Sequence, residues 1–200
     1  MANPVNDVKM TGTRWVLMRF VRILNANRFH VPGWIRKIAL RRLFTVAAAA
    51  FACAVPDLSR LTAQDMLIRF AQLTREQAKS AVTSSEGPDA AMERLYQHSR
   101  QLGDRLRRQL RLSSDRDMIA ASQLLYGMLG IDMRDSGQGK ITISRCFFST
   151  IYTPDVCRVI SALDSGLACG LSGGKNLVFS QRITEGRSCC EAMLQEVSQL

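Results

Sequence analysis

The chain has 200 residues, 46% of them apolar, enough to bury a core without disulfide staples, and this excludes a small cross-linked secreted scaffold. It carries 27 Lys and Arg against 17 Asp and Glu, a net charge of +10, yet residues 1–60 hold ten basic and two acidic residues while the remainder is nearly balanced. A basic balance confined to one end, with no recognition motif anywhere, gives no nucleic-acid partner.

Residues 1–13 are polar. From Arg14 the segment WVLMRFVRIL is amphipathic as a helix, with Val16, Leu17, Phe20, Val21, Ile23 and Leu24 on one side and Arg14, Arg19 and Arg22 on the other. WIRKIALRRLFTVAAAAFACAV then becomes apolar from Leu43 to Val55 apart from Thr45, and Pro56 ends it. That run is shorter than the about 20 residues needed to cross a bilayer. Three readings stay open: a core helix behind basic turns, a signal or anchor with AxA-like ends, or an in-plane segment of residues 14–56 whose arginines touch anionic lipid. Residues 1–57 are therefore set apart as a basic and apolar N-terminal segment, with residues 58–200 as the main domain.

Start signals follow. Thr62 with Asp65, and Thr74 with Gln77, have capping spacing and predict helices over 63–73 and 75–84. SSEGPD is a turn, with Pro88 suited to the first turn of a helix over 89–112. That helix carries Met92, Leu95, Ser99, Leu102, Leu106 and Leu110 on one seam, and its arginines form a solvated face. Residues 113–117 open another helix that ends near Gly130, and IDMRDSGQG reads as a linker.

The pattern then changes, and five of the six cysteines fall within residues 139–194. Lys140 to Phe148 alternates as a strand, with Cys146 near its end on the more polar face beside Thr142 and Ser144. Thr153-Pro154-Asp155 starts a helix with core stripe Val156, Val159, Ile160, Leu163 and Leu167. Cys157, Ser161, Asp164 and Ala168 make a second stripe. At the positive end of the helix dipole the Cys157 thiol is expected to ionise more readily. Residues 176–184 and 188–195 read as a hairpin turned at Glu185-Gly186-Arg187, with Cys189 and Cys190 on opposite faces. The expected fold class is α+β: a helical N-terminal two thirds followed by a small antiparallel sheet with one packed helix.

The six cysteines follow no zinc-ribbon spacing, and unpaired thiols suit a reducing, cytoplasmic setting, with the inner face of the membrane as the place for a lipid-touching N-terminus. His30 and His98 lie far from the cysteine-rich region, so a base there is expected to be a carboxylate.

In order, Cys146 on a strand, Cys157 followed by Asp164, and a strand leading into EGRSCCE, the sequence resembles the L-2-amino-thiazoline-4-carboxylic acid hydrolase family. The likeness spans about residues 60–195. The spacing from Gly186 favours Cys190 as the family cysteine, whereas Arg187 stands where an acid is usual and Ala192 where an aromatic is usual. The resemblance implies that water opens a small cyclic C-N substrate bearing a carboxylate. Cys157 and Cys190 would attack the ring carbon, or, with Cys146, hold a zinc-like divalent metal. Asp164 or Glu185 would move the proton, and Arg182 or Arg145, beside Cys146, would clamp the carboxylate. A fainter likeness is to vinyl-reductase-like sensor domains, which end in a Glu-Gly turn before a Cys-bearing strand and bind small ligands or zinc. It implies a module without turnover.

Overall fold

The computed structural model describes residues 31–85 and 87–196. The amphipathic segment expected from Arg14 lies outside them. Among the described residues, five α-helices and a four-stranded antiparallel sheet follow in the order α1 (Gly33–Ala50), α2 (Ala63–Thr83), α3 (Asp89–Leu110), α4 (Asp115–Met128), β1 (Ile131–Asp135), β2 (Lys140–Cys146), α5 (Pro154–Ser172), β3 (Lys175–Gln181) and β4 (Cys190–Glu196). The fold is α+β, with its helices mostly in the N-terminal part.

The apolar run forms the second half of α1. Leu40, Phe44, Ala47 and Ala50 are fully buried and join the same core as residues from every later helix and the sheet, so the core is continuous across residue 57. Among the described residues no helix is long and apolar enough to cross a membrane. Arg36 Nε donates to the Met128 carbonyl (2.6 Å) and Arg94 Nε to that of Ala50 (2.6 Å), so two arginines satisfy helix-end carbonyls that lack partners within their own helices.

Thr62 and Asp65 form the expected capping box at the start of α2. The second helix expected from Thr74 is absent: α2 runs unbroken to Thr83. Neither Gly nor Pro interrupts the sequence there, and the buried Thr74 hydroxyl is engaged with the carbonyl of Phe70 (2.7 Å), back inside the helix, and with the Tyr152 hydroxyl. Edge-to-face contacts run from Phe44 through Phe70 to Phe148, which stacks on Tyr152, and lock α1, α2 and the turn before α5 together.

The segment after α4, expected as a linker, forms a strand. In IDMRD, Ile131 and Met133 turn inward and the charged residues outward, a pattern too short to stand out in sequence but enough for an edge strand. The sheet order is β1-β2-β4-β3. Its inner face, with Ile131, Met133, Ile141, Ile143, Cys190, Ala192 and Leu177 buried, packs on helices, while Val178 and Met193 remain exposed on the other face. β3 and β4 pair as the expected hairpin, although a short 3-10 turn, Ile183–Glu185, takes the place of the end of the first strand.

Candidate functional site

Helix α5 carries the site. Thr153 caps it through a bond from the Val156 amide (3.4 Å), Pro154 opens its first turn, and Gly173 closes it in the left-handed conformation at φ 84°. Val156, Val159, Ile160, Leu163 and Leu167 are all buried, as the sequence pattern requires. This leaves the second stripe of Cys157, Ser161 and Asp164 to face β2, β4 and the turn after β3.

Cys146 reaches this region through an irregularity. Ile131 pairs with Cys146 and Asp132 with Arg145, but Met133 pairs with Ile143, so Ser144 is an extra residue in β2. The bulge resets the alternation. Cys146, expected on the polar face, lies opposite the buried Ile131 and is partly buried, whereas Arg145 is exposed on the far side and does not join the site. Cys190 lies opposite the buried Ile143, and its Sγ accepts from the Ile183 amide (3.3 Å). Cys189 faces away, its Sγ accepting from Gln181 Nε2 (3.4 Å), so the expected split of the pair is observed. Cys169 is buried near the C-terminal end of α5, away from this stripe.

Asp164 is the centre of the arrangement. Its Oδ1 accepts from the Tyr126 hydroxyl on α4 (2.7 Å), and its carboxyl is desolvated, which raises its pKa to about 6 against a smaller lowering by Tyr126 and Arg182. The Tyr126 phenol is pushed well above its ordinary range, first by burial and then by Asp164. Burial also raises the thiols: Cys146 to about 12, with Cys157 and Cys190 shifted in the same direction and Asp164 adding to all three. The expected lowering of Cys157 by the helix dipole is thus overturned, because loss of hydration outweighs the field at the helix end. At neutral pH these sulfurs are protonated thiols.

Arg182 lies across the N-terminal half of the stripe. Its Nε donates to Ser161 Oγ (3.3 Å), its Nη1 is 3.6 Å from Glu185 Oε1, and its guanidinium stacks 5.0 Å from the Phe179 ring centre. Glu185 is further held by Arg158 (3.6 Å) and accepts from the Arg182 amide (3.1 Å). Both residues are therefore occupied. The Thr184 hydroxyl is buried with no hydrogen-bond partner of regular geometry, beside the Cys157 thiol. The structure thus brings Cys146, Cys157, Cys190, Asp164, Arg182 and Glu185 into one neighbourhood and leaves Arg145 out.

On the other side of Asp164 is a small cleft with a cavity of about 10 Å³, room for about one water molecule. α4 contributes Met118, Ser122 and Tyr126; α5 contributes Asp164, Leu167, Ala168 and Leu171; the sheet closes it with Met133, Ile141, Leu177 and Leu194. Asp164 and Tyr126 are its polar corner. Tyr126 was not legible as a site residue, although Met118, Ser122 and Tyr126 recur at four-residue spacing along one helix face.

The metal implied for Cys146, Cys157 and Cys190 does not fit. Among the described residues no group of three or more His, Cys, Asp or Glu side chains is placed to hold an ion, and three thiols with raised pKa values are poor donors, since a ligating sulfur must be a thiolate. No protein-family model matches the chain, and no curated protein shows significant similarity to it.

Proposed function

We propose that this chain is a small-ligand-binding module, which takes a compact and largely apolar molecule between α4, α5 and the sheet and holds its one polar group against Asp164. The carrying observation is the pocket itself: eight of its eleven lining residues are Met, Leu, Ile or Ala, and its polar corner is a carboxyl already paired on one oxygen with Tyr126. Binding sites of this kind are lined by apolar side chains with a few placed polar groups, and because the cavity here, about 10 Å³, holds only about one water, α4 and the sheet part to admit the ligand. With a pKa of about 6, Asp164 is mostly ionised near neutral pH and prefers a cationic or hydrogen-bond-donating group. The six free thiols suit a reducing compartment, and we place the chain in the cytoplasm.

Calorimetric titration with hexylamine, hexanol and hexanoate tests this reading. Hexylamine binds best near neutral pH and loses its advantage over hexanol in Asp164→Asn, while Ala168→Trp, which fills the pocket, abolishes binding of all three. Absence of binding by every probe, or undiminished binding in Ala168→Trp, overturns it.

A second reading, hydrolysis of a 2-amino-thiazoline-4-carboxylate-like substrate, is favoured by one observation: a carboxyl with pKa about 6 beside three thiols is well tuned to move a proton. Asp164 would then protonate the departing nitrogen and Arg182 would exchange Glu185 for the substrate carboxylate. Incubation with that compound gives a ring-opened product one water heavier, and Asp164→Asn abolishes it. An unchanged substrate mass removes the reading.

A further inference from the structure

Helix α1 buries one side and leaves the other bare. Leu40, Leu43, Phe44 and Ala47 face the core, whereas Trp34, Ile38, Arg41, Arg42 and Thr45 follow one another along the outside. Trp34 is 66% exposed and Ile38 43%. Single exposed apolar residues are ordinary on a protein surface, but these two lie one turn apart and are followed within a turn by two arginines. Arg42 Nη1 donates to Gln109 Oε1 on α3 (3.4 Å), and one turn before Gln109 on that helix is the exposed Arg105. Among the described residues, Arg41, Arg42 and Arg105 take part in none of the ion pairs.

We propose that this face, Trp34 and Ile38 together with Arg41, Arg42 and Arg105, docks in-plane on an anionic lipid bilayer. The indole and the isoleucine enter the boundary between headgroups and acyl chains, and the guanidinium groups meet lipid phosphates. The charge is complementary, since residues 1–60 hold ten basic residues and two acidic ones. A nucleic acid would offer phosphates to the arginines and a base to stack on Trp34, but nothing for Ile38; a bilayer accommodates all of them. The attachment proposed is to the surface; among the described residues no helix is long and apolar enough to cross. It requires neither the pocket nor any chemistry at Asp164.

The test uses the full chain with Trp15→Phe, so that Trp34, the second of two tryptophans, is the reporter. Sedimentation with phosphatidylcholine vesicles is compared with vesicles that contain phosphatidylglycerol. The protein partitions onto the anionic vesicles alone, and Trp34 emission shifts to the blue as the ring leaves water. Removing one basic residue weakens partitioning about five-fold, so Arg41→Gln with Arg42→Gln weakens it about twenty-five-fold. Ile38→Ser lowers it independently of salt. These side chains are solvent-facing, and circular dichroism confirms that each variant keeps its helices. Partitioning that is insensitive to Arg41 and Arg42, or that leaves Trp34 emission unchanged, overturns the proposal. So does preferential capture by single-stranded RNA over anionic vesicles, which would mark the face as a polyanion site.

Discussion

The two flanks of α5 obey opposite packing rules. Toward α3 the helices meet at backbone distance: a Cβ at Gly103 would lie 2.5 Å from the Leu167 carbonyl oxygen, and at Gly166 and Gly170 closer still to the carbonyls of Tyr96 and Arg100. Toward α4 and the sheet, the same helix meets side chains instead of backbone, and a cavity of about one water remains among them. Interiors ordinarily close such space by small shifts of their elements. Here α5 is already held against α3, and moving it into the gap would break the most extensive contact between the described helices.

The strongest way to break this contrast is Gly170→Leu. Its side chain meets rigid backbone of α3, and the variant loses about 4 kcal/mol or more in denaturant unfolding, enough to leave much of it unfolded. A gentler comparison sharpens it. Leu95 is fully buried within the helical layer, whereas Leu177 is 5% exposed and borders the small cavity. Leu95→Ala therefore costs about 4 kcal/mol and Leu177→Ala about 2 kcal/mol, and equal losses would show that the pocket wall is as fully packed as the core.

A stabilising change has a distinctive pH dependence. Because folding raises Asp164 from 3.8 to about 6, its burial leaves stability untouched while both states are protonated, and erodes it as pH rises through that interval. Asp164→Asn is accordingly more stable than the natural chain by about 3 kcal/mol above pH ~7, with the gain disappearing below pH ~4. A gain that is the same at every pH would mean that Asp164 is not desolvated by the fold.

Much of this architecture was legible in sequence where local chemistry decides the outcome. The Thr62 capping box, the Thr153-Pro154 helix start, the two stripes of α5 and the division between Cys189 and Cys190 all depend on residues within a turn or a strand of one another. What escaped depends on distant partners. Thr74 carries a capping pattern, but Phe70 and Tyr152 turn its hydroxyl into a packed interior group. β1 has two inward residues, and its pairing with β2 makes it a strand. The thiols looked activated from the dipole at Cys157, and only the surroundings supplied by β2, β4 and the 3-10 turn reveal that desolvation prevails.

The extra residue at Ser144 also governs the charge of the interior. A ladder in unbroken register would rotate Arg145 toward Asp164 and send Cys146 to solvent. The carboxyl would then belong to a buried ion pair, ionised far into the acid range and closed to any other cation. By shifting the phase of β2 through a single residue, the strand keeps a second guanidinium, beside that of Arg182, outside and leaves this acid only weakly paired.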